Sequence, residues 1–274
     1  MGHLTLRGVR LAIGERTLLD AIDLDVRPGE LVAIVGPNGV GKTTLLRATA
    51  AFVPPAAGQI LIDGAELSTR SRSERARAVT LIGGNVEAPH GMSVREVVVT
   101  GRFAHRAWWD WMVGDSDLFA ADAALERVAL GPLRDRPFDT LSSGERQRAW
   151  LALALAQDAR VMLLDEPTSH LDARYAVEIL TLLLDLARDG RAVVTVLHDL
   201  NEAAAIADRI AVLGQGTLLA YDKPATALDP AILERAFGIA FDRVSLDGGT
   251  RVLARGPRSP RYPTDLPQAP SAGH

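Results

Sequence analysis

Gly36-Pro37-Asn38-Gly39-Val40-Gly41-Lys42-Thr43 has the residue types and spacing that cradle a nucleoside polyphosphate. The stretch fits G-x-x-x-x-G-K-[ST]. Small residues let backbone N–H groups converge on an anion. A helix starting at the loop, through Thr44, adds its positive N-terminal end. Lys42 supplies a mobile cation for the outer phosphates, and the Thr43 hydroxyl can ligate Mg²⁺. The chain has 30 basic residues, yet lysine occurs only at Lys42 and Lys223. A sequence that otherwise uses arginine places lysine where this loop needs it. The bland alternative is a glycine-rich turn that matches by chance. It does not account for the apolar strand Leu31 to Val35 before the loop and the helix after it.

Val161-Met162-Leu163-Leu164-Asp165-Glu166 delivers two carboxylates at the end of an apolar strand. Open α/β sheets bind ligands at that edge. Asp165 is placed to hold Mg²⁺, directly or through water, and Glu166 to act as general base toward an attacking water. Alone, the pair reads equally well as two solvated acids at a strand end. Leu141-Ser142-Ser143-Gly144-Glu145-Arg146-Gln147 opens a helix with Ser and Gly, which makes a second anion site or an ordinary N-cap.

The elements that must position these groups alternate strand and helix. Leu4 to Val26 reads as short strands about a turn at Gly14-Glu15. Further strands follow at Gln59 to Asp63, Val79 to Ile82, Val161 to Leu164 and Ala192 to Leu197. The last is a continuous apolar run of the buried parallel type. Residues 86–157 read as a mostly helical insertion between parallel strands. Its helices start at Ser93, with Glu96 at the reciprocal capping position, near Asp117, and at Ser143. A helix over Asp172 to Arg188 follows Glu166. Residues 1–255 thus form one α/β domain, and 256–274, with five prolines, a flexible tail.

With 274 residues and 47 % apolar content the chain can bury a full core. A net charge of −4 gives no electrostatic case for nucleic acid, and the lack of cysteine excludes disulfides and thiolate metal sites. The N-terminus lacks the basic-then-apolar pattern of a signal peptide. The most apolar runs, Trp150 to Ala156 and Ile179 to Ala187, are too short to span a bilayer. A soluble protein is expected, with any membrane role reached through a partner.

In this order the motifs resemble the nucleotide-binding subunit of ATP-binding cassette (ABC) transporters. Gly36 to Thr43 is similar to Walker A, Leu141 to Gln147 to the signature, and Val161 to Glu166 to Walker B. Thr168-Ser169-His170-Leu171-Asp172 is similar to the D-loop, and His198 to the switch histidine. The resemblance covers about residues 2–245. It implies a P-loop NTPase of ABC type, with a mostly parallel core sheet, an N-terminal antiparallel β-subdomain and an inserted helical subdomain. It implies ATP and Mg²⁺ as cofactors. Two subunits meet head to tail in that family, so Ser142, Gly144 and Gln147 are expected to contact ATP held by the opposite subunit. Ser169 and Asp172 are expected on the dimer interface, and His198 beside the γ-phosphate and the water at Glu166. The implied partners are a second such subunit, an integral membrane permease and a substrate-binding protein. The implied location is the cytoplasmic side of the cell membrane.

Some positions depart from the family pattern. Ile13 stands where an adenine-stacking aromatic residue is usual. Gly84, followed by Asn85, stands where a Gln that reaches Mg²⁺ is usual, and Ser143 replaces a common Gly. Thr100-Gly101-Arg102-Phe103-Ala104-His105 resembles a Gly-Arg-x-Pro-His stretch of the ATPases serving iron–siderophore, haem and vitamin B12 importers, with Ala104 in place of Pro. His198 to Ala203 and Phe237-Gly238-Ile239 suit the same subgroup. Trp108, Trp109 and Trp111 with Met112 form either a partner anchor or part of the helical subdomain's core. His3, His90, His105 and His274 read as terminal, surface or partner-contact residues rather than metal ligands. Three other readings remain open: the ATPase of another importer or exporter class, an ABC ATPase with no transporter, and a regulatory ATP-binding module with weak turnover.

Overall fold

The computed structural model describes residues 2–83, 88, 90–106, 112–169, 171–246 and 249–256. Gly84, Asn85, Trp108, Trp109, Trp111, His170, His274 and the Pro-rich stretch from 257 lie outside the described residues.

The chain opens with β1 (Leu4–Ile13) and β2 (Arg16–Val26), which form an antiparallel hairpin. The turn falls at Gly14-Glu15 as expected, but the strands are ten and eleven residues long rather than short. Register shifts between Leu6 and Ala12, with Gly8 and Ala21 in the left-handed region, interrupt the alternation without ending the pairing. Those bulges broke the period-two pattern that a reading of the sequence relies on. Then come β3 (Leu31–Val35) and α1 (Lys42–Thr49). β4 (Ala57–Ile62) and the short β5 (Ala65–Glu66) join the hairpin in a four-stranded sheet of order β2-β1-β4-β5.

After α2 (Arg72–Ala78) and β6 (Val79–Ile82), three helices intervene: α3 (Val94–Val99), α4 (Asp115–Arg127) and α5 (Ser143–Gln157). Ser71-x-x-Glu74, Ser93-x-x-Glu96 and Ser142-x-x-Glu145 start α2, α3 and α5 with the same reciprocal capping box. The chain returns as β7 (Val161–Asp165), α6 (Ala173–Arg188), β8 (Ala192–Val196), α7 (Leu200–Ile206), β9 (Arg209–Gly214) and β10 (Thr217–Asp222). It ends with α8 (Pro224–Ala227), α9 (Pro230–Phe237) and a hairpin of β11 (Phe241–Leu246) with β12 (Gly249–Ala254).

The central sheet has the order β10-β9-β3-β8-β7-β6 and is parallel except for β10. β3 and β8 are buried throughout, so both faces must be covered. Leu31, Ala33 and Val35 enter one core, and Val32 and Ile34 the other. One core packs the helices α3 to α7 on the sheet. The second lies between the sheet, α1 and the antiparallel strands. The expected α/β architecture, with its antiparallel N-terminal sheet and a helical segment between β6 and β7, is therefore observed. Among the described residues no helix is long and apolar enough to cross a membrane.

Candidate nucleotide site

β3 points its C-terminal end at Gly36, where a Cβ would lie 2.4 Å from the Leu213 carbonyl oxygen. The neighbouring strand β9 therefore forces the chain to turn on a residue without a side chain. At Gly41 a Cβ would meet Leu18 and Leu19 at 3.0–3.2 Å, so the loop presses on β2. Gly41 is also left-handed and gives α1 no side-chain cap. The first N–H groups of α1 remain for an anion. Lys42 is buried, and its Nζ donates to Gly36 O (2.8 Å) and Pro37 O (3.0 Å). Burial pushes its pKa down, opposed by Glu166 and Asp165. The ammonium is thus held over the loop rather than extended into solvent.

β7 and β8 bring the acids and the histidine to the same edge. Asp165 is opposite Val196 in the parallel register. Burial pushes the Asp165 carboxyl upward; the Thr43 hydroxyl is the main opposing influence. Its Oδ1 is buried without a hydrogen-bond partner among the described residues. Glu166 leaves the strand in the left-handed region (φ 54°), with its N–H donating to Val196 O at 3.2 Å. A non-glycine residue in that region costs roughly 1–2 kcal/mol and persists only where neighbours impose it. Here it turns the carboxylate toward β8. Glu166 Oε1 lies 2.6 Å from His198 Nε2, and Ser169 Oγ donates to Glu166 Oε2 at 3.4 Å.

Lys42, Glu166 and His198 share one cleft of about 480 Å³ with Thr43, Thr44, Asn38, Gly39 and Leu18, while Asp165, its Oδ1 buried, does not line it. Ile13, 66 % exposed, also lines that cleft. Ser142, Gly144 and Gln147 do not line it. Ser142 caps α5: its Oγ accepts from Glu145 N at 3.3 Å, and its N–H donates to Glu145 Oε2 at 2.8 Å. Gly144 is buried against the Tyr175 ring, 3.4 Å from a built Cβ. Gln147 lines a separate recess with Gly83 and Trp150. Asp172 caps α6 by accepting from Tyr175 N at 3.1 Å.

Three supports escaped the sequence reading. Gly83 ends β6 at φ 143°, and a Cβ there would sit 2.5 Å from Asp165 Cβ. Thr168 Oγ1 donates to Glu202 Oε2 at 2.9 Å, tying the segment after Glu166 to α7. Gln157, at the end of α5, accepts from Thr80 Oγ1 (2.8 Å) and donates to Ala76 O (2.7 Å). Glycine at a strand end was visible; the two long-range pairings leave no local pattern. His105 is half-buried and bonds through Nε2 to Gln157 O at 2.7 Å. His3, read as an uninformative terminal residue, lies 2.6 Å from Asp25 through Nε2. His90 is exposed, with Asp139 at 3.8 Å. Among the described residues no group of three acids or histidines could hold a metal ion by itself.

The pattern of the family described as "ABC transporter" matches residues 19–169, from β2 through the loop, Ser142 and Glu166 to Ser169. This chain belongs to the ABC transporter family. The ferric enterobactin transport ATP-binding protein FepC of Escherichia coli (strain K12) is 36 % identical over 238 residues, 85 % of this chain and 87 % of that protein. The hemin import ATP-binding protein HmuV of Streptomyces coelicolor is 41 % identical over 230 residues, 84 % of this chain and 81 % of that protein. Among solved structures, an inward-facing ABC transporter assigned to the metal-chelate type superposes with a TM-score of 0.81 at 25 % identity. That match covers 93 % of this chain and 98 % of the other. As an ABC ATP-binding subunit the chain is an ATPase coupled to transport, and the cleft over Lys42 is where its phosphate loop lies.

Proposed function

We propose that this chain is the ATP-hydrolysing subunit of an importer for an iron complex, a ferric siderophore or haem, or for a cobalamin-like cargo. The carrying observation is the identity to siderophore and hemin import ATP-binding proteins over more than four-fifths of the chain. It works as a homodimer on the cytoplasmic side of the membrane. An integral permease holds it there, and a substrate-binding protein delivers the cargo. The dimer reading is supported by Ser142, Gly144 and Gln147 lying outside the cleft that holds Lys42. One subunit's α5 N-terminus then faces the γ-phosphate bound by the other.

Gly36 to Thr44 bind the phosphates through backbone N–H groups, and Lys42 moves from its carbonyl partners to the β- and γ-oxygens. Thr43 and Asp165 would hold Mg²⁺, and the partnerless buried Oδ1 of Asp165 fits that role. When bound, the ion neutralises charge between the outer phosphates. Glu166 accepts the proton of the attacking water. His198 holds the Glu166 carboxylate at 2.6 Å and keeps it oriented.

The test is ATPase activity of the reconstituted complex with its permease, for wild type and Glu166→Gln. Stimulation by ferric siderophore, haem or cobalamin is expected to identify the cargo. Equal rates for wild type and Glu166→Gln would sink the catalytic reading. Failure to co-purify with any integral membrane protein would sink the importer reading.

A further inference from the structure

The cleft over the phosphate loop continues past the phosphates. Its main lobe reaches Ile13, and a second lobe of about 340 Å³ reaches Arg16. Leu18, Asn38 and Gly39 line both lobes, so the two adjoin. Ile13 and Arg16 are directly paired residues at the tip of the β1–β2 hairpin. Leu18 packs under Gly41 and ties that tip to the loop. Arg10, lower on the hairpin, is paired with Asp20, whereas Arg16 is exposed and makes no ion pair among the described residues.

A nucleotide whose phosphates occupy the loop has room for its sugar and base along these two lobes. The surface there offers aliphatic contact from Ile13 and Leu18, and one planar cation, Arg16. No aromatic ring of the described residues lines either lobe. We propose that Arg16 stacks its guanidinium plane on the nucleotide base, with Ile13 as the apolar side of the slot, and so sets base affinity. The proposal rests on the reading of this cleft as the ATP site. A guanidinium is flat, weakly hydrated and attracted to a π-face. Every base has such a face, so stacking gives affinity with little discrimination between adenine and guanine.

The experiment is calorimetric titration of the full chain with Mg-ADP, Mg-GDP and Mg-pyrophosphate. Arg16→Ala is expected to weaken both nucleotides about ten-fold and leave pyrophosphate unchanged. Arg16→Lys keeps the charge but loses the plane, and should resemble Arg16→Ala. Arg16→Tyr restores a flat stacking surface and should recover ADP affinity. An Arg16→Ala variant with unchanged ADP affinity overturns the proposal. So does an equal loss for pyrophosphate, which marks Arg16 as a phosphate-directed charge, or full rescue by lysine, which shows that the guanidinium plane is not what the base contacts. If wild type binds none of the three ligands, the ATP-site reading itself has failed.

Discussion

Glu166 Oε1 and His198 Nε2 stand 2.6 Å apart on the ends of neighbouring strands, and the left-handed turn at Glu166 is what aims one at the other. A base held this way should matter for rate and not for binding. Glu166→Gln is expected to lower kcat by about 10²–10⁴-fold with KM nearly constant. His198→Ala should lower kcat less, because the carboxylate remains but turns freely. The double variant should be scarcely worse than Glu166→Gln alone. Steady-state ATPase kinetics on the four proteins measure this. Additive losses would show that the two side chains act independently.

Ser142 has one role within the chain and another across the proposed dimer, and substitution can separate them. Ser142→Ala removes the cap of α5 and should cost about 0.5–2 kcal/mol, read as a lower denaturation midpoint. Ser142→Asp keeps the cap but sets a carboxylate where a phosphate must approach. It should melt like wild type while ATPase activity falls at least ten-fold. Normal turnover in Ser142→Asp would confine this residue to capping.

Gly83 is expected to tolerate no side chain. Its φ of 143° disfavours L-residues, and a Cβ would press on Asp165. Gly83→Ala should lower stability by about 1–3 kcal/mol and weaken Mg-ATP binding more than binding of ATP in EDTA. Thermal melts and nucleotide titrations with and without Mg²⁺ distinguish the two effects. A variant that melts and binds like wild type would mean that β6 and β7 separate easily at this end.

Tyr221 gives the chain an alkaline limit. Burial, and then the charge of Glu30, push its phenol up to about 12, and its hydroxyl donates to Asp25 O at 2.5 Å. The folded state keeps the proton where the unfolded chain, titrating near 10, has lost it. Stability from this group is therefore complete below about pH 10 and is lost as pH rises through 12. Denaturant titrations of wild type and Tyr221→Phe between pH 8 and 12 should converge with rising pH. Parallel curves would show that the phenol ionises in the folded protein without cost.

What the sequence disclosed was what local chemistry dictates. The buried run of β3, the glycines of the loop, the Ser93-x-x-Glu96 start of α3 and the Ser-and-Gly start of α5 all act within a few residues. Glu166 and His198 could be expected at one sheet edge because each follows an apolar run. β1 and β2 were under-read because bulges at Gly8 and Ala21 interrupt their alternation. The partner of His105, the Gln157 carbonyl, belongs to another helix and leaves no local signal. Glu202 and Gln157 act through pairings 34 and 77 positions away, which no periodicity reports.

Gln157 fastens the end of α5 to Thr80 of β6 and Ala76 of α2, while Ser142 is exposed at the other end. Fifteen helical residues make a stiff arm of about 22 Å. Tilting that arm by about ten degrees around Gln157 carries Ser142 by roughly 4 Å, more than the length of a hydrogen bond. In the proposed dimer, a small adjustment where α5 meets β6 is thus enough to carry the serine to or from the phosphate across the interface, with every bond inside the helix intact.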